Sequence, residues 1–176
     1  MKTIKKVIAI MLAAALASAV LASCGNKGKV VDGSDGGNGN SATVTGEDRT
    51  WGNITIFVPD GFTLKGGDIL SDENPDKLTL NSDDSDMTYV TVTANADDDN
   101  VKMGIESTRS MNEGAEDYTV AAGETEWTGV TYNASGYQCY ALCAPMGDGY
   151  VMLTCAGVGE AALNLILESI KVSAAD

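Results

Sequence analysis

Between residues 51 and 156 the sequence breaks repeatedly into short β-branched and aromatic runs, and this punctuation constrains the fold more than any other feature. Ile54-Thr55-Ile56-Phe57-Val58 ends at the turn Pro59-Asp60-Gly61, and Phe62-Thr63-Leu64 resumes an extended pattern. Leu78-Thr79-Leu80 and Tyr89-Val90-Thr91-Val92-Thr93-Ala94 follow, one on each side of a polar break at 82–86. The second alternates with the period of a strand: Tyr89, Thr91 and Thr93 point one way, Val90, Val92 and Ala94 the other. Four more runs, at 118–121, 126–132, 137–144 and 150–156, are each bounded by Gly, Asn or Pro. Pro145-Met146-Gly147-Asp148-Gly149 has the composition of a hairpin loop between the last two.

Two stretches carry helical spacing. Val101, Ile105 and Thr108 predict a helix over 101–112, with Asp97, Asp98 and Asp99 before its start and Gly114 after its end, as the macrodipole and C-capping favour. Lys102 and Glu106 are i,i+4 neighbours on it, while Gly104 works against it. Over 159–170, Leu163, Ile166, Leu167 and Ile170 form one apolar stripe, the face that packs on a sheet. The expected fold is therefore α+β: a single domain at 50–173, with an antiparallel sheet of about six to seven strands packed by two helices. An apolar share of 44% fits a globular domain.

The chain before this domain has a different character. Residues 1–23 hold a basic start (Lys2, Lys5, Lys6), an apolar run from Val7 to Val20 and then small residues, the plan of a secretory signal. That run is about 14 residues, short of the ~20 that span a bilayer as a helix. Leu21-Ala22-Ser23-Cys24 closes it and resembles the bacterial lipobox of Leu, two small residues and Cys. The resemblance implies cleavage before Cys24, a thioether-linked diacylglycerol on Cys24, and a lipid-anchored protein on the extracytoplasmic face of a bacterial cell membrane. Two acyl chains on one residue supply the double signal that stable anchoring needs. Residues 24–49, rich in Gly, Asn and Ser, read as a flexible tether reaching roughly 25–30 Å. With that length, the resemblance points to a Gram-positive surface.

The domain also carries a resemblance. Pro59, Gly61 and Phe62 match the "P-x-G-[WF]" turn after the first strand, and Ile166, Leu167, Ser169 and Ile170 match the "ILxSI" end of the closing helix, of the Mog1/PsbP/DcrB-like fold. With the element order, the likeness covers about residues 51–173. It implies small non-enzymatic lipoproteins and accessory factors, and no single activity.

Composition narrows the function classes. Cleavage would remove three lysines and no acid, taking the formal net charge from −14 to −17. Such a charge repels phosphate backbones, so nucleic acid is not an expected partner. The chain has no histidine, which excludes Ser-His-Asp triads, Cys-His dyads and imidazole zinc sites. Neither catalytic residues nor a cofactor are expected, and the partners expected are the membrane, through Cys24, and an envelope protein or ligand.

Four weaker patterns remain. Cys139 and Cys143 share a strand face, too far apart along it to bridge each other. A loop centred on Gly147 would oppose Cys139 and Cys155, the preferred disulfide, and one centred on Gly149 would oppose Cys143 and Cys155; buried free thiols are the alternative. Asp72, Asn74 and Asp76 repeat the first spacings of a calcium loop, and Asp83-Asp84-Ser85-Asp86 and Asp97-Asp98-Asp99-Asn100 are acid clusters. Lys77 stands where that loop needs Gly and Asp83 where it needs Glu, so solvated acids are expected and no metal ligands are assigned. A calcium-responsive adhesion module is one alternative function. A small carboxylate-dependent hydrolase built on Glu124 and Glu126 is the other. Trp51, Trp127, Tyr132 and Tyr140 are expected to pack the core, a carbohydrate platform being their alternative use.

Overall fold

The computed structural model describes residues 28–30, 43–67 and 74–173. The signal segment, Cys24 and Asp72 lie outside the described residues. The chain opens with β1 (Gly28–Val30), β2 (Thr43–Trp51), β3 (Ile54–Pro59), β4 (Phe62–Gly66), β5 (Lys77–Ser82) and β6 (Tyr89–Ala96). Helix α1 (Asp98–Met111) leads into β7 (Glu116–Ala122), β8 (Thr125–Ala134), β9 (Tyr137–Met146) and β10 (Gly149–Ala156). Helix α2 (Glu160–Ser169) and the short β11 (Lys171–Val172) follow.

The main sheet is antiparallel and seven-stranded, in the order β4-β5-β6-β10-β9-β8-β7. The fold is thus α+β, with the two helices and the sheet that the alternating runs predict. A second sheet, β1-β2-β3-β11, goes beyond what the sequence predicts. Strand β1 and most of β2 fall inside the stretch 24–49 expected to be tether, so the domain begins before residue 50. The reason lies in β2, where Glu47, Asp48, Arg49 and Thr50 are all exposed. This strand is held by its backbone ladder to β3, from Gly46 opposite Pro59 to Trp51 opposite Ile54. It buries little apolar surface, so it leaves almost no hydrophobic pattern in the sequence.

Alternation gives the main sheet two faces. On the inner face Val90, Val92, Ala94, Leu142, Ala144, Val151 and Leu153 join Trp127 and the buried side of α2 in one core cluster. Helix α2 contacts β2 and β3 of the small sheet and the edge strand β7 of the main one. Leu163, Leu165, Ile166 and Leu167 are all buried, so its apolar surface is wider than one stripe. On the outer face α1 lies over β8, β9 and β10, where Ile105, Val130 and Ala141 form a smaller cluster.

The turn at Pro59-Asp60-Gly61 carries the chain from one sheet to the other. Gly61 takes φ +82°, a region that only glycine enters freely. The Asp60 amide donates to the Thr45 carbonyl at 2.8 Å, and the Asp83 amide donates to the Gly61 carbonyl at 2.8 Å. Nearby, the Trp51 indole lies against Gly66, where a Cβ would come within 1.8 Å of the ring. Its Nε1 donates to the Asn74 carbonyl at 3.1 Å. Asp76 Oδ1 accepts from Asn53 Nδ2 at 2.9 Å and from Asn95 Nδ2 at 2.7 Å. Asn74 and Asp76, read as positions of a calcium loop, here brace the end of the sheet.

Helix α1 starts three residues earlier than its apolar spacing predicts. Asp97 is its N-cap, accepting the Asn100 amide at 2.8 Å, and Asp98 and Asp99 occupy the first turn.

Candidate functional site

The face of α1 turned to the sheet's β7–β8 side leaves a cleft of about 710 Å³. One helical stripe supplies its wall and rim, because residues three and four apart share a face. Val101 and Ile105, both buried, are the apolar wall. Asp98, Lys102, Glu106 and Arg109 are the charged rim, and Asp117 of β7 closes it from the opposite side. Thr119, Thr128, Gly129, Cys143 and Tyr150 line the cleft from the sheet.

The helix approaches the sheet closely because position 104 is a glycine. A Cβ there would stand 3.0 Å from Met152 Cε and 3.3 Å from its Sδ. Gly104 lowers helix propensity by about 1 kcal/mol relative to alanine, yet it leaves room for Met152 between helix and sheet.

The rim charges are paired with one another. Lys102 Nζ meets Asp98 Oδ2 at 2.5 Å, so its i,i+4 partner lies toward the N-terminus and is not Glu106. Arg109 Nη2 meets Asp117 Oδ1 at 2.6 Å, and Arg109 Nε meets Glu106 Oε1 at 3.4 Å. The bond to Asp98 holds the Lys102 ammonium above its ordinary pKa, and the bond to Asp117 does the same for the Arg109 guanidinium. Arg109 therefore latches the last turn of α1 to the edge strand.

The cysteines do not pair as the loop composition suggests. Met146 faces Gly149, so only Gly147 and Asp148 form the turn and the mirror point falls between them. Cys155 consequently stands opposite Tyr140, and Cys139 opposite Ala156. Successive residues of a strand alternate between faces, so Cys155 joins the inner core while Cys139 and Cys143 face outward. All three are free thiols, and neither the Cys139–Cys155 nor the Cys143–Cys155 bridge is formed. Burial, and secondarily Cys139, push the Cys155 thiol up to about 12, and burial also raises that of Cys139. Cys143 is half-exposed in the cleft, with its Sγ 3.9 Å from Thr128 Oγ1.

The other sequence candidates are scattered. Glu124 lies in the β7–β8 turn and Glu126 on β8, both exposed and neither lining the cleft. Asp97 caps a helix, Asp98 holds Lys102, and Asp83 accepts from Thr63 Oγ1 at 2.7 Å. Among the described residues no three His, Cys, Asp or Glu side chains are grouped as a metal site. Trp127 is fully buried, and the Tyr118 and Tyr140 rings meet edge to face at 5.1 Å. The rim is not among the sites the sequence predicts, although the charges at 98, 102, 106 and 109 repeat with the period of the helix.

The fold and cleft define a class: an antiparallel α+β domain with an ion-paired groove under its outer helix. No protein-family model matches the chain, and no curated protein matches it. It is similar to a crystal structure of a protein from Bacteroides thetaiotaomicron, at 11% identity and a TM-score of 0.42, covering 73% of this chain. The match covers 48% of that protein, so the chain spans about half its length. Among the described residues, no helix is long and apolar enough to cross a membrane.

Proposed function

We propose that the protein is a membrane-anchored extracytoplasmic lipoprotein of the bacterial cell envelope, acting without catalysis as a binding or accessory module. Diacylglycerol on Cys24 holds it to the membrane, and the cleft under α1 receives an envelope protein or ligand. The observation that carries the binding role is the cleft's construction. Buried Val101 and Ile105 stand beside the hydroxyls of Thr119 and Thr128, inside a rim of fixed charges. A ligand with an apolar body and a few polar groups matches that lining. Each rim carboxylate already engages a cation, an arrangement suited to recognition and poorly suited to passing protons. The lipobox tetrad supports the anchor.

A photo-crosslinking residue at Glu106 of the rim, compared on intact cells with one at Lys171 on the far element β11, tests the binding role. A discrete adduct from position 106 and none from position 171 is expected; equal yields from both would overturn it. Cys24→Ser tests the anchor separately. The unlipidated chain should be released or remain unprocessed, and full membrane retention of a cleaved product would contradict it.

A further inference from the structure

A second concavity, of about 300 Å³, opens on the outer face of the sheet at β4–β5–β6, away from α1. Lys65, Lys77, Thr79, Asn81 and Thr91 supply its side chains, and Gly66 and Gly67 complete its lining. The ladder fixes this grouping. Lys65 stands opposite Thr79, Lys77 precedes Thr79 by two residues on the same face, and Thr79 stands opposite Thr91. The two threonine hydroxyls lie 3.2 Å apart.

The charge of this pocket runs against the rest of the molecule. The chain has 25 acidic and 11 basic residues, yet among the described residues no carboxylate lines the pocket. Arg49, Lys102 and Arg109 each have a carboxylate partner. Among the described residues, Lys65 and Lys77 have none. Diagonal neighbours on paired strands sit about 7–8 Å apart, close enough for two like charges to repel. An anion between them turns that repulsion into attraction, and the hydroxyls of Thr79 and Thr91 offer additional donors.

We propose that this pocket binds a phosphate group, with Lys65 and Lys77 on its oxygens and the Thr79 and Thr91 hydroxyls completing the contact. A tetrahedral oxyanion has enough acceptor oxygens for two ammoniums and a hydroxyl pair at once. Lysine serves phosphate well as a point charge. The same chemistry is presented by free phosphate, by the headgroup of an anionic lipid and by a polyol-phosphate polymer.

The test is an amide-resolved NMR titration of the full chain with inorganic phosphate at low salt, against chloride at equal ionic strength. Saturable shifts at Gly66, Gly67, Thr79 and Thr91 are expected, with a dissociation constant on the order of millimolar, as suits an open site. The double variant K65Q/K77Q should weaken binding at least about tenfold, equivalent to ~1.4 kcal/mol, while K65R/K77R retains it. K102Q, in the other cleft, should leave it unchanged. Shifts that chloride reproduces, that survive K65Q/K77Q, or that fail to saturate by about 50 mM phosphate overturn the proposal. Once phosphate binds, vesicles of phosphatidylglycerol against phosphatidylcholine, and a glycerol-phosphate oligomer, identify the source. Tighter binding to one of them, dependent on both lysines, assigns that source; no gain over free phosphate assigns a soluble phosphate ligand.

Discussion

The Ser169 hydroxyl of α2 accepts the buried Phe57 amide of β3 at 2.7 Å and donates to the Ile166 carbonyl, also at 2.7 Å. The contact completes a sheet edge. Strand β11 pairs with β3 only at Ile54 and Thr55, and two residues further along β3 the side chain of a helix does what a strand would have done. A buried amide without an acceptor costs about 1–3 kcal/mol. Ser169→Ala should therefore lower the free energy of unfolding by that amount, read from the urea midpoint at unchanged slope. A loss below about 0.5 kcal/mol would mean that the amide finds another acceptor.

Gly66 of β4 makes a parallel case against Trp51 at the end of β2. A Cβ at this position would sit inside the Trp51 indole, and the ring is also held by its bond to the Asn74 carbonyl. Gly66→Ala must displace the ring, and overpacking of this kind costs about 1–3 kcal/mol. Placing the same change in a Trp51→Ala background isolates the cause. There the cost should almost vanish, and an undiminished cost would place the strain in the backbone.

These two contacts also show where the sequence is legible. Tyr89-Val90-Thr91-Val92-Thr93-Ala94 declares a strand because its partition between faces is written in adjacent residues. Strand β2 does not, because both of its faces are largely solvated from Glu47 to Thr50 and its cohesion is in backbone hydrogen bonds. The hairpin after β9 was legible as a loop but not as a register. Composition at 145–149 does not say which two residues turn, and a one-residue slip exchanges every side chain between faces. The cleft divides the same way. Asp98, Lys102, Glu106 and Arg109 form a stripe that helical periodicity contains, whereas Asp117 reaches Arg109 only through the pairing of β7 with β8.

The register carries a prediction for the thiols. In a Cys24→Ser chain, a thiol-specific aromatic disulfide reagent should find three reactive groups after denaturation without reductant. In the native protein Cys143 should react first, since it is half-exposed, while Cys139 and Cys155 wait on opening of the sheet. A count of one thiol in the denatured chain would require a bridge and a different β9–β10 register.

Alkaline pH should weaken the fold through the same buried groups. Burial raises the Cys155 thiol from 9.0 to about 12, and it also raises Cys139 and the phenols of Tyr89, Tyr118, Tyr132 and Tyr140. Between pH 9 and about 12 the unfolded chain has released the Cys155 proton that the folded chain retains. The folded state then binds more protons, so stability must fall as pH rises, by up to about 1.4 kcal/mol per pH unit for one such group. Well below pH 9, at about pH 7.5 and lower, both states hold the proton and Cys155 contributes no slope. Cys155→Ala lowers stability at every pH by creating a cavity, so the diagnostic is the slope of unfolding free energy against pH. From pH 9 to 10.5 that slope should become shallower in Cys155→Ala than in the parent, the remaining decline coming from Cys139 and the tyrosines. Parallel slopes would show that Cys155 ionises in the folded state as readily as in the unfolded chain, and that the inner core around it admits water.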